Sequence, residues 1–129
     1  MRQSIPVGLL FAAVPLSPQV SKPRPLAVPL VCSKGDCPLL AGAPQTTGMR
    51  SGFVRLKPGE AVGWHSTGQN EEALVILRGE GTALIDGQPS QALAAPALAY
   101  IPPATRHNVQ NTGKEPLEYV YVVAPAKSQ

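Results

Sequence analysis

The chain has 129 residues, with 12 glycines and 15 prolines spread along its length. The longest stretch free of both is the ten residues Gln69–Arg78. That is shorter than the mean α-helix of about 11–12 residues, which excludes a helical bundle and a doubly wound α/β fold with its crossover helices. The net charge of +3 sits entirely in residues 1–47, while residues 48–129 balance seven basic against seven acidic side chains. No basic stripe is left to meet nucleic acid.

What remains is one small, turn-rich, all-β domain with an irregular N-terminal extension. A hydrophobic content of 43% is enough for a core. The extension covers residues 1–47 and holds eight prolines. Arg2 precedes an apolar stretch, Ile5–Leu16, broken by Pro6 and Pro15. Twelve residues are too few for a bilayer span, which needs about 20. The stretch reads either as a signal peptide, with Gln19-Val20-Ser21 as its best cleavage site, or as an arm that packs on the barrel or on a second subunit. Export and a cytoplasmic location are equally open. Cys32 and Cys37 flank the turn-like Ser33-Lys34-Gly35-Asp36. They suit a disulfide in an exported chain or two thiols in a reduced one, and they lack the further ligands of a zinc site.

From residue 48 the chain reads as a run of short strands. Phe53–Lys57 alternates and stops at Pro58-Gly59. Glu72–Leu77 is nearly continuously apolar, the pattern of a strand buried on both faces. Thr82–Ile85 leads into Asp86-Gly87, a strong hairpin signal, with Gln88–Leu93 returning. Ala97–Ile101, His107–Gln110 and Leu117–Val123 complete the set, the last with Tyr119 and Tyr121 on one face and Val120 and Val122 on the other. Strands at this spacing predict a sandwich, jelly roll or small barrel.

The chain has only two histidines, and each lies in a punctuated segment. The first reads Gly59, five residues, His65-Ser66-Thr67, four residues, Glu72, six residues, Gly79. The second reads Pro102-Pro103-Ala104-Thr105-Arg106-His107, three residues, Asn111. Together they resemble the two motifs of the cupin family, over about residues 48–124. The resemblance implies a jelly-roll β-barrel spanning residues 48–129, with motif side chains pointing inward around one divalent metal. It places His65, Glu72 and His107 at three of the usual four ligand positions. Thr67 stands where the family has its second histidine. Pro96 and Ala104 stand in place of motif glycines, changes that adjust turns only.

Two imidazoles and a carboxylate still form a set that Fe, Mn, Ni or Zn accepts. Gln69 and Glu71 are possible substitute oxygen donors, but Glu71 has the opposite strand parity to Glu72. If Val54 and Leu56 face inward, Arg50 does too and sits at the barrel mouth, in reach of a substrate carboxylate; otherwise it is an exposed strand-start residue. Trp64 covers the pocket rim or packs. Tyr119 and Tyr121 pack or place a hydroxyl near the metal. Arg106 points outward. The implied function is a metal-dependent enzyme on a small carboxylate- or sugar-like molecule, of dioxygenase or isomerase/lyase type, with no catalytic residue assigned. The alternative is a non-catalytic ligand-binding or structural cupin with a degenerate site. The family also implies a homodimer, which the apolar outer positions of Ala73–Leu77 and Val120–Val122 support.

Overall fold

A computed structural model describes residues 3–16 and 22–127. Eight strands follow in chain order: β1 (Asp36–Ala41), β2 (Arg50–Leu56), β3 (Asn70–Arg78), β4 (Glu80–Ile85), β5 (Gln91–Ala94), β6 (Ala97–Ile101), β7 (His107–Gln110) and β8 (Leu117–Pro125). No helix occurs among the described residues, and so none is long and apolar enough to cross a membrane. The strands pair antiparallel in two sheets, one of order β1-β2-β8-β3-β6 and one of order β5-β4-β7. They enclose one core in a jelly-roll arrangement without merging into a single closed sheet.

The period-two pattern decides which side chains enter that core. Val54, Leu56, Leu74, Ile76, Leu117 and Tyr119 come from the larger sheet, and Ala83, Leu93 and Val109 from the smaller. Leu74 and Ile76 are almost wholly buried, each worth about 1.5–3 kcal/mol of apolar transfer. β3 is not buried on both faces, however. Its outward members Val75 and Leu77 stay 36% and 43% exposed, because among the described residues nothing covers the outside of the five-stranded sheet there. β3 ends at Gly79, whose φ is +83° and whose missing Cβ leaves room for the Pro116 carbonyl. No other residue fits both conditions.

Two strands differ from the sequence pattern. β1 lies inside the stretch read as irregular. Pro38 and a bulge between Pro38 and Leu40 erase its alternation, and both are tolerated because β1 is an edge strand. The return after Asp86-Gly87 starts only at Gln91, since Pro89 has no N–H for the ladder. The remaining strands fall within a few residues of their predicted positions.

A disulfide joins Cys32, ahead of β1, to Cys37 within it, and the Gly35 carbonyl accepts a hydrogen bond from the Arg55 N–H at 2.8 Å. The apolar stretch near the N-terminus touches little: Ile5, Leu10 and Phe11 are 86%, 98% and 87% exposed. Arg2 and Gln19-Val20-Ser21 lie outside the described residues.

Candidate metal centre

Three separate segments bring the motif side chains together. Glu72 shares the inward face of β3 with Leu74 and Ile76, and it is 6% exposed. His107 opens β7 and is completely buried. His65 belongs to no strand of its own. Its backbone forms an isolated bridge with His107, N–H to carbonyl in both directions at 2.9 Å, which brings the two rings to a centroid separation of 4.3 Å. The loop that carries His65 is fixed by Asn108, whose Oδ1 accepts the Gly63 N–H at 2.9 Å.

Hydrogen-bond direction fixes both imidazoles. Nδ1 of His65 lies 2.8 Å from the Gly63 carbonyl, and Nδ1 of His107 lies 2.9 Å from the Thr105 carbonyl. A carbonyl only accepts, so each Nδ1 carries the proton and each Nε2 becomes the ligand atom. Backbone carbonyls orient metal-ligating histidines in this way. Donor atoms of His65, Glu72 and His107 all lie within 4.8 Å of one another. Two nitrogen donors and one carboxylate at that spacing fit a divalent transition metal.

Nε2 of His107 also lies 3.1 Å from a Glu72 oxygen. With Nδ1 committed to Thr105, that contact is a hydrogen bond only if a proton sits between the imidazole and the carboxylate. The bond to Glu72 raises the His107 pKa above its usual 6.5; burial opposes the rise, and the Thr105 carbonyl and the Glu72 charge add to it.

The centre opens on a cavity of about 480 Å³ whose wall includes His65, Thr67, Glu72, Arg50, Tyr119 and Tyr121. Arg50 lines this cavity, the inward one of the two alternatives that strand parity left open, and its neighbour Ser51 lines it too. Thr67 lines the cavity, but its hydroxyl already donates to the Asn70 carbonyl at 3.0 Å. Tyr119 belongs to the core and contributes to the wall as well. Burial, then the charges of Glu72 and Asp36, push its phenol well above the ordinary 10.0. Tyr121 lies over Gly52, where a Cβ would meet ring atoms at 2.6 Å.

Other candidates fall elsewhere. Gln69 is exposed and off the cavity wall. Glu71 points away from Glu72 and accepts a hydrogen bond from the Tyr100 hydroxyl at 2.9 Å. Trp64 is 45% exposed and does not line the cavity; the outward-pointing Arg106 guanidinium stacks 5.2 Å from its ring. Sequence reasoning missed Asp36, Pro38 and Leu40, which β1 adds to the cavity wall. The nearest signal was the cysteine pair, which brackets Asp36. It also missed a structural role for Asn111, which is buried and bridges the Leu56 and Glu115 carbonyls at 2.9 and 2.8 Å.

This arrangement, a jelly roll with a two-histidine, one-carboxylate cluster facing its interior, defines a small cupin. The Cupin domain family model matches residues 52–123, and the chain belongs to that family. A search of curated proteins found no match. Among solved structures, a Bacillus halodurans protein superposes with a TM-score of 0.69 at 21% identity, covering 83% of this chain and 86% of its own. An RmlC-like cupin family protein from Methanocaldococcus jannaschii, described as a double-stranded β-helix, gives 0.66 at 20% identity over 78% and 91%. The cupin domain of Schizosaccharomyces pombe Cnp3 gives 0.63 at 18% identity over 70% of this chain, which spans 64% of that one. At these identities the likeness establishes the fold.

Proposed function

We propose that this protein is a metal-dependent enzyme acting on a small carboxylate-bearing molecule. One observation carries the reading: the His65–Glu72–His107 cluster opens on a cavity whose wall also bears an Arg50 that forms no ion pair among the described residues. A divalent metal held by those three side chains supplies Lewis-acid polarisation of a substrate oxygen. Arg50 takes the carboxylate through its planar fork. Tyr121 offers a hydroxyl on the same cavity wall. Tyr119 keeps its proton at neutral pH and acts as a donor, not a base. Val62, Val109 and Val123 give the wall its apolar share. A sugar-like substrate would use the same hydroxyls and leave Arg50 idle.

A second reading, a non-catalytic binding cupin, rests on Thr67 in place of a ligand and on the direct Glu72–His107 bond, which satisfies both side chains without an ion. Metal content per chain by elemental mass spectrometry decides between them. Near-stoichiometric Fe, Mn, Ni or Zn that is lost in His107→Ala supports the enzyme. No metal after incubation with all four ions removes it. Oxygen uptake with candidate carboxylates then separates an oxygenase from an isomerase or lyase.

Two further assignments belong to this reading. The outward side chains Val75, Leu77, Leu98 and Tyr100 are 36%, 43%, 73% and 60% exposed and form an apolar face suited to a second copy of the chain. Light scattering that finds a monomer at micromolar concentration removes the dimer. The Cys32–Cys37 disulfide and the exposed apolar stretch before it favour export over a reducing compartment. Mass spectrometry of the chain recovered from its native host, intact at residue 1 and with free thiols, contradicts export.

A further inference from the structure

The wall of the metal cavity carries a second charge that the enzyme reading does not use. Asp36, the first residue of β1, lines the cavity together with Arg50. Asp36 pairs in register with Val54, and Arg50 lies four residues back along β2, about 13 Å away at about 3.3 Å per residue. Between those rungs sits Gly52, paired with Pro38 on one side and Tyr121 on the other. With no side chain on Gly52, the Tyr121 ring settles over its α-carbon, and the phenol lies between the two charges. Burial raises the Tyr121 pKa first, and both charges reach it as well: Asp36 adds to the rise and Arg50 opposes it. Asp36 also acts on Tyr119, beside Glu72.

The two charges do not neutralise each other. Among the described residues the ion pairs are Arg55–Glu118, Arg78–Glu118 and His107–Glu72, and neither Asp36 nor Arg50 takes part in one. A carboxylate and a guanidinium on one cavity wall, neither in an ion pair, are each better satisfied by a ligand of opposite charge than left unpaired. Their position is not left to a free loop. The disulfide from Cys32 to Cys37 and the Arg55–Gly35 hydrogen bond hold Asp36 on both sides in sequence.

We infer that the cavity binds a small zwitterion, an amino-acid-like molecule whose carboxylate meets Arg50 and whose protonated amine meets Asp36. This rests on the reading of the cavity as a carboxylate site and narrows its substrate class. It also makes Asp36 a specificity-determining residue contributed from outside the matched residues 52–123.

The test is calorimetric titration of the metal-loaded full chain with glycine, β-alanine and γ-aminobutyrate, each beside its amine-free counterpart acetate, propionate or butyrate. At least one zwitterion is expected to bind about tenfold or more tightly than its counterpart, the size of one charge-assisted hydrogen bond. Asp36→Asn erases that ratio and leaves acid binding unchanged, and Asp36→Glu restores part of it. Arg50→Gln weakens acid and zwitterion alike. Circular dichroism of each variant checks that it folds. The inference is overturned if no zwitterion outbinds its counterpart, or if Asp36→Asn keeps the full ratio. If acid binding still depends on Arg50 in that event, the carboxylate reading survives alone. If acid binding ignores both Arg50→Gln and removal of the metal, the carboxylate reading falls with it.

Discussion

The proton shared by Glu72 and His107 should be displaced by metal. Nδ1 of His107 is held by the Thr105 carbonyl, and Nε2 points at Glu72 across 3.1 Å. That contact needs a proton, and a metal ion needs the lone pair that the proton occupies. Bonding to Glu72 raises the folded pKa above the usual 6.5. A raised histidine pKa stabilises the metal-free fold fully below the unfolded value, and the contribution fades as pH climbs through the folded value. Metal binding has the opposite sign. Between pH 6.5 and the folded pKa of His107 it should release about one proton, gaining about tenfold in affinity, or about 1.4 kcal/mol, per pH unit. Calorimetry with Zn(II) in buffers of different ionisation enthalpy counts the proton, and a competing chromophoric chelator gives the affinity. Thermal melts of the metal-free protein supply the second arm: wild type loses stability above pH 6.5, and Glu72→Gln does not show that loss. Affinity that is flat with pH, with no proton released, refutes the reasoning. So does a Glu72→Gln melt series that parallels wild type.

Three other substitutions probe the frame around the site. Gly52→Ala puts a Cβ 2.6 Å from two ring carbons of Tyr121; the ring must swing into the cavity, with a stability cost of about 1–3 kcal/mol and weakened carboxylate binding, and an unchanged melt with unchanged binding counts against the packing. Asn111→Ala strips the buried Leu56 carbonyl and the part-buried Glu115 carbonyl of their donor and the part-buried Gly113 N–H of its acceptor; the buried loss alone costs about 1–3 kcal/mol, so denaturant unfolding should show a clear loss while the folded fraction keeps its metal. Ala104 sits at φ +54°, a conformation that costs a non-glycine residue about 1–2 kcal/mol, so Ala104→Gly should raise the melting temperature; a lower one means that unfolded-state entropy outweighs the relief.

The motif segments were legible because their chemistry constrains spacing tightly. His65, Glu72 and His107 could be picked out without any structure, since only two histidines exist and both sit at cupin intervals. Strand parity offered the cavity wall as one alternative for Arg50, Tyr119 and Tyr121, and all three line it, on strands whose mutual register runs without a shift. It failed where alternation is interrupted. β1 contains Pro38 and a bulge, so neither period nor propensity marks it, and Asp36 went with it. Trp64 and Gln69 lie in the loop between β2 and β3, where neighbours in sequence do not share a direction. The apolar run of β3 suggested two buried faces, but among the described residues one face is closed by the core and the other stays partly exposed.

Ligand chemistry and ligand choice are thus built from different parts of the chain. The candidate metal ligands, Thr67, Tyr119 and Tyr121 lie within the matched residues 52–123, whereas Arg50 and Asp36 lie before them. The three candidate ligands all lie outside β1, yet half of the charged cavity wall depends on β1 and the start of β2. β1 is exchangeable at an edge of the sheet: among the described residues it pairs with β2 alone, and the hydrogen bonds of His65 and His107 go to Gly63, Thr105 and Glu72 and not to β1. Changes of substrate should therefore arise in residues 32–51 and leave the metal affinity intact. The separation is measurable in one variant. Asp36→Asn should alter which small acid binds while Zn(II) affinity stays within about twofold of wild type, because an isolated charge at a solvent-open site is worth well under about 1 kcal/mol to an ion it does not touch. A tenfold loss of metal would instead make Asp36 part of the centre and collapse the distinction.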